Sequence, residues 1–474
     1  MSKEIKPAKA GRQQHPRNSA PPVQADLLRR ALEWIVNERI FDELTLHGNT
    51  SWMTTQLVSL AVLWVWSDKG TLGGAFEEAR QLSLTMFGQV AVTTYQGLTG
   101  ALVTWTGQLL PLLWGRLHLL MEQIGGTHWR IGKWLPLAVD GSRVTTPRTR
   151  SNEEAFSSQT YGQSHSSKSR RRWRNKKKRS KPLSEPVKPQ IWLTLIWHMG
   201  LKMPWCWRTG PSTSSERGHF RDLLQTHQFP ENTLFCCDAG FQGYDLWKAI
   251  LDHGQHFLIR VGGNVRLLRE LGHTRQRQGL VYLWPSAVAR RKQSPLLLRL
   301  LEFQAPRGKV YLVTNVLAEN ALTLSQARQL YRLRWGVELQ FRSFKQTFGR
   351  SKLRSRTAER ARVEMDWSLL GLWMIQLSAV REQIKVDQPP EQSSVALALL
   401  AIQDAMRLGK CAVTHRHALR RRLRQATKDK YQRSTSKQAR YQPNYKDKPS
   451  ATKPIVTLAT KKQRQAYQLL ANAL

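Results

Sequence analysis

Acidic residues are scarce in this chain: 33 Asp and Glu stand against 74 Lys and Arg in 474 residues, a formal charge of +41. That excess goes far beyond what solubility asks for and points to a polyanionic partner. Cysteine is scarcer still. The four, Cys206, Cys236, Cys237 and Cys411, contain an adjacent pair but no CxxC spacing, which excludes a disulfide framework and a zinc knuckle and fits a reducing cytoplasm. The N-terminus, "MSKEIKPAKAGRQQHPRNSAPP", lacks the apolar core of a signal peptide and reads as a flexible polar arm over residues 1–25. Also missing is an unbroken apolar run of about 18 residues. Residues 81–115 carry no charge, but Gln, Thr and Gly interrupt them, so they read as buried helices rather than a membrane span. With no basic amphipathic helix or lipidation motif evident, nucleic acid is favoured over lipid as the polyanion.

What is present is a foldable chain: 41% of its residues are hydrophobic, and its length suits two or three domains. Residues 26–125 alternate apolar and polar positions at helical spacing, as in "DLLRRALEWIV", and read as a helical N-terminal domain. The pattern then changes to "KWLPLAVDGSRVTT", a short β-favouring run expected to be a buried strand ending on Asp140. "QIWLTLIWHM" and "MPWCWRTG" follow as paired strands, "NTLFCCDAGF" as a strand ending at Asp238, "YDLWKAILDHG" as a helix and "HFLIRVGG" as a strand. A β-rich insertion is expected over residues 264–316. Thr323 with Gln326 is a capping-box signature opening one long helix to about Gly349. Residues 130–385 therefore form an α/β domain, followed over 395–474 by a helix and a basic C-terminal tail.

Two basic segments stand out. Between Lys168 and Lys181 there are ten Lys or Arg and no acid, within a loop over 163–189; Arg171, Arg172, Lys176 and Lys177 are its candidate DNA contacts. From Arg416 to Lys453, 13 basic residues meet two acids, as expected of a mobile DNA-contacting tail.

Against this background the stretch "YRLRWGVELQFRSFK" is the anomaly. On a helix Tyr331, Arg334, Glu338 and Lys345 share one face, a stripe about 21 Å long that can follow a nucleic-acid backbone for roughly six phosphates. An acid beside phosphates is repelled unless a cation lies between them, which makes Glu338 a candidate ligand for Mg2+ at the scissile phosphate. Asp140 and Asp238, each at a strand end, are its candidate companions. Three such acids could hold two metal ions about 3.5 to 4 Å apart for an in-line displacement. Singly, the plainer readings are an i,i+4 ion pair for Glu338 and turn caps for the two Asp residues. The combination, in a chain of +41, favours the metal.

Asp140 in "LAVDGSRV", Asp238 in "CCDAGFQGYDLW" and the Tyr331–Lys345 stretch resemble the three acidic motifs of bacterial DDE insertion-sequence transposases with the Y-R-E-K signature. That resemblance implies an RNase H-like catalytic core, a mixed sheet flanked by helices, interrupted by the β-rich insertion and preceded by the all-α domain. It implies cut-and-paste DNA transposition: the enzyme cuts an insertion sequence at its terminal inverted repeats, passes through a hairpin, and joins the 3′ ends to target DNA. Asp140, Asp238 and Glu338 would then be catalytic metal ligands for Mg2+, two ions, with Mn2+ able to substitute. Tyr331, Arg334 and Lys345 would hold the transposon-end backbone, and Trp335 would either wedge against a displaced base or pack in the helix core. The N-terminal domain is a candidate for end recognition, with "VAVTTYQGLTGAL" as a helix-turn-helix; since that stretch has no basic residue, the basic loop or the tail is the alternative. A homodimer on paired double-stranded ends, in the bacterial cytoplasm at the nucleoid and away from membranes, completes the expectation. The rival readings are a metal-dependent nuclease with a related core and an inactive DNA-binding protein.

Overall fold

Ten strands build one mixed sheet: β1 (Leu135–Thr145), β2 (Gln190–His198), β3 (Met203–Gly210), β4 (Thr233–Cys237), β5 (His256–Arg260), β6 (Arg266–Arg269), β7 (Leu280–Leu283), β8 (Leu296–Ala305), β9 (Gly308–Thr314) and β10 (Ile455–Leu458). Their order is β10-β6-β7-β8-β9-β5-β4-β1-β2-β3. The computed structural model describes residues 23–46, 50, 52–157, 188–272, 279–284, 293–305, 308–413, 415–428 and 453–472. Residues 1–22 of the N-terminal arm, Arg171, Arg172, Lys176 and Lys177 of the basic loop, and residues 429–452 of the tail lie outside them, while residues 23–25, expected to belong to the arm, cap and begin the first helix.

The centre of the sheet carries the α/β topology expected from the sequence. β1 runs antiparallel to β2 and parallel to β4, and β5 runs parallel to β4. These strands read as continuous apolar runs because both faces are covered: every residue of β4 is buried. The β-rich segment after β5 does not stand apart. β9 returns antiparallel to β5, and β8, β7 and β6 continue outward from it, so the segment lengthens the core sheet. The far edge is covered by β10, parallel to β6, an element absent from the sequence reading.

Helices pack around this sheet: α1 (Gln24–Ile35), α2 (Thr54–Trp66), α3 (Leu72–Phe87) and α4 (Tyr95–Gly125) come before β1. α5 (Arg150–Phe156), α6 (Glu216–Thr226), α7 (Tyr244–Asp252), α8 (Leu324–Leu333), α9 (Gly336–Arg342) and α10 (Ala358–Ile384) are interleaved with the strands or follow β9. α11 (Val395–Arg407), α12 (Ala418–Gln425) and α13 (Lys461–Asn472) come last. The uncharged stretch is mostly α3 and α4; Leu98, Leu102, Leu109 and Leu113 of α4 are fully buried. Among the described residues no helix is long and apolar enough to cross a membrane.

α10 is the hub between the helical N-terminal region and the sheet. Trp66 Nε1 of α2 donates to the Gly371 carbonyl at 2.9 Å, and a Cβ on Gly371 would lie 2.7 Å from Val65 Cγ2. Trp367 Nε1 donates to Thr106 Oγ1 of α4 at 2.9 Å, and Trp207 Nε1 of β3 to Asp366 at 2.8 Å. The start of the basic C-terminal stretch is packed rather than free. Leu419 and Leu423 of α12 are buried, and Gln383 Nε2 donates to the carbonyls of Leu423 and Ala426.

Two expectations are corrected. Asp140 is not at the end of its strand but at the sixth of the eleven residues of β1. The parallel pairing with β4 stops at Val139 and Cys237, whereas the antiparallel pairing with β2 continues to Thr145, so β1 outruns its parallel neighbour. The helix from Thr323 is not continuous to Gly349: it bends at Arg334 and Trp335, resumes as α9, and ends in a π-helical turn over Ser343–Thr347. Gly336 explains how closely the resumed helix packs. A Cβ there would lie 2.2 Å from Cη2 of Trp197, so the bare backbone lets α9 sit against β2. The capping box at Thr323 and Gln326 is present.

Candidate active site

The site forms where β1 and β4 part. Val139 and Cys237 are register partners, so Asp140 and Asp238 come next, side by side, beyond the last paired residues of the parallel ladder. This is the open end of a parallel pair, where α/β sheets characteristically present their functional groups. Asp140 Oδ1 accepts from the Gly141 N–H at 2.8 Å. Asp238 caps the short turn Ala239–Phe241, its Oδ1 accepting from Gly240 N–H at 2.7 Å, so the turn-cap reading of this residue is correct as well.

The bent α8–α9 unit delivers the rest. Arg334, 5% exposed, stands between the acids: Nη1 is 3.6 Å from Asp140 Oδ2 and Nη2 is 3.6 Å from Glu338 Oε1. Its guanidinium also lies 5.8 Å from the Tyr331 ring centroid and 5.6 Å from that of Trp335. Glu338 is thus both the i,i+4 partner of Arg334 and a neighbour of Asp140. Lys345, on the π turn, donates from Nζ to Ser142 Oγ at 2.6 Å, two residues along β1 from Asp140. The unit is fixed from behind by Gln340 and Gln376, whose buried amides exchange two hydrogen bonds of 2.9 and 2.8 Å. The structure therefore brings Asp140, Asp238, Tyr331, Arg334, Glu338 and Lys345 together. Trp335 joins them at the surface, 61% exposed with its ring against the Arg334 guanidinium.

Negative charge is in excess here. Burial raises the Asp140 carboxyl, and repulsion from Asp238 and Glu338 adds to this against the Gly141 N–H and Arg334, bringing it to about 6. Burial opposes the charge on Arg334, but Tyr331, Asp140, Asp238 and Glu338 outweigh it and raise its pKa further. Burial raises the Tyr331 phenol and lowers the Lys345 ammonium. The sequence reading missed one member. Glu216, the first residue of α6, is raised to about 7 by burial and then by Asp140 and Asp238, against Arg143 and Arg217. Its signal was an acid behind the N-cap Ser215 in a chain poor in acids, on a helix the periodicity reading passed over.

The donor set fits a hard divalent cation, being all carboxylate oxygen and short of compensating positive charge. Arg334 Nε and Nη1 are buried without hydrogen-bond partners, so its guanidinium is not locked to the acids. Among the described residues no three Asp, Glu, His or Cys side chains already close on one point, the guanidinium standing between Asp140 and Glu338.

Two cavities border the unit. One of about 680 Å3 is lined by Arg260, Arg328, Tyr331, Arg332 and Arg334, with no acid. The other, about 560 Å3, lies between Trp197, Lys202, Trp335, Arg342 and Lys428, with Glu391 the single acid. Basic side chains dominate the charged lining of both.

Residues 135–374 match the family model described as the transposase DDE domain. Over 271 residues the chain is 27% identical to the transposase InsG for insertion sequence element IS4 of Escherichia coli (strain K12), covering 54% of this chain and 55% of that one. It thus spans about half the length of that curated relative. Among solved structures, a piggyBac transposase synaptic complex with hairpin DNA is similar at a TM-score of 0.41 and 12% identity over 87% of each chain, too distant a likeness to extend to the site.

Proposed function

Since the chain belongs to the DDE transposase family, we propose that it is a transposase that cuts an insertion sequence at its terminal inverted repeats and joins the 3′ ends to target DNA. The observation that carries this reading is the meeting of Asp140, Asp238 and Glu338 around one buried arginine, at the open end of a parallel strand pair. The family depends on divalent metal ions, and Mg2+, with Mn2+ as substitute, suits three carboxylates. When bound, such ions activate water and stabilise the leaving oxygen in an in-line displacement.

The chain's own residues do the rest. Asp140 and Asp238 hold their carboxylates on the rigid sheet, and Glu338 approaches from α9. Arg334, held to Asp140 and Glu338 only at 3.6 Å, would offer its guanidinium to a phosphate oxygen of the transposon end. Tyr331 and Lys345 grip the same backbone on either side. Lys345 gives up its bond to Ser142, a neutral partner, for a charged one. Trp335, exposed beside two basic cavities, suits stacking on an unpaired base. Arg171, Arg172, Lys176 and Lys177 of the basic loop add phosphate contacts. The protein works as a homodimer on paired double-stranded ends, in the cytoplasm at the nucleoid.

The test is incubation of the purified protein with labelled DNA carrying the sequences that flank its own gene, with Mg2+ or with EDTA, on a denaturing gel. Hairpin and excised products that require Mg2+ are expected. Nicking without joining would instead indicate the nuclease, and binding without cleavage an inactive DNA-binding protein.

A further inference from the structure

Glu216 opens α6 behind Ser215, whose hydroxyl accepts from Gly218 N–H at 3.0 Å. An acid in a first helical turn is favourable in itself through the helix dipole. That does not explain where its carboxylate goes. A Cβ built on Gly141 would meet Glu216 Cγ and Oε1 at 2.5 Å and Cδ at 2.8 Å, so the side chain lies flat on bare backbone beside Asp140. A Cβ on Gly240 would meet Asp238 Oδ1 at 2.9 Å and Glu216 Oε2 at 3.5 Å. One oxygen therefore covers the residue after Asp140, while the other reaches toward the turn capped by Asp238. Neither has a hydrogen bond or ion pair with a described residue. Two glycines, one after each aspartate motif, leave the room this carboxylate fills.

We propose that Glu216 is a fourth carboxylate of the catalytic centre and a ligand of the divalent cation held by Asp140 and Asp238. When ionised, this carboxylate is repelled by Asp140 and Asp238, a repulsion that a shared cation would turn into common ligation, and the nearby arginines, Arg143 and Arg217, make no ion pair with it. α6 precedes β4, so this ligand comes from an element that contributes none of Asp140, Asp238 and Glu338. The inference rests on the metal-dependent reading above and deepens it.

The test is titration of the full-length protein with Mn2+ alone, following free Mn2+ by electron paramagnetic resonance. Wild type, Glu216→Gln and Asp238→Asn are compared, then Gly141→Ala in the wild-type and Glu216→Ala backgrounds. Glu216→Gln is expected to weaken Mn2+ binding by at least about 10- to 100-fold, the loss seen when even an outer-shell partner of a metal ligand is removed. Gly141→Ala, whose new methyl displaces the Glu216 side chain, is expected to weaken binding in the wild type and to add nothing once Glu216 is alanine. Binding by Glu216→Gln equal to wild type, or a Gly141→Ala effect unchanged in the Glu216→Ala background, would overturn the assignment of Glu216 while leaving Asp140 and Asp238 in place. Wild-type binding that Asp238→Asn leaves intact would overturn the metal reading itself, and Glu216 with it.

Discussion

Replacing Asp140 by Asn should make the metal-free protein more stable, the reverse of what removing a buried ion-pair partner usually does. Asp140 is raised from 3.8 to about 6, a balance that already counts its attraction to Arg334. A carboxyl with a raised folded pKa contributes its stability fully below pH 3.8 and loses it as the pH climbs through about 6. Two pKa units at 1.36 kcal/mol each amount to about 3 kcal/mol of strain in the ionised form at pH 8, about half of that at pH 5 and little at pH 4. Asn has the shape of the protonated acid and carries no charge. The assay is thermal unfolding in EDTA from pH 4 to pH 8, with the variant expected to melt a few degrees above wild type at pH 8 and the gap closing toward pH 4. In excess Mg2+ the order should invert, because only the wild type gains from the ion. A variant that melts below wild type in EDTA at pH 8 would refute the claim that this centre carries unbalanced negative charge.

Lys345→Met removes the bond to Ser142 and a positive charge; binding to all DNA sequences should weaken to a similar degree, with the slope of log K against log salt falling by about one. Gly336→Ala would drive a methyl into Trp197, and overpacking of this kind costs about 1 to 3 kcal/mol. A denaturant melt should register that loss, and the displaced α9 should lower cleavage more than DNA binding.

The sequence was informative where periodicity and charge spoke directly. The continuous apolar runs at Leu135, Gln190 and Thr233 became central strands, and the Thr323 capping box opened its helix. The scarcity of acids made Glu338 conspicuous on its basic stripe, and the structure sets it beside Asp140. What stayed hidden depended on tertiary contact. The close seating of the resumed helix depends on Trp197, 139 residues before Gly336, lying against a residue without a side chain. The length of β1 is fixed by β2, its antiparallel partner, not by the Asp-Gly pair that resembled an ending. β10 is strand only through its pairing with β6, and α12 is held by buried leucines inside a run whose charge suggested a free tail. Glu216 gained significance only once two glycines brought it against Asp140 and Asp238.

The central claim is that Glu338 acts in cleavage rather than in holding DNA. Its most direct test is a single-turnover experiment on wild type and Glu338→Gln, each first bound to labelled end DNA in EDTA and then given Mg2+. Equal or tighter binding by the variant, with cleavage in the wild type alone, is the expected result. Cleavage by Glu338→Gln at a rate near that of wild type would contradict the account.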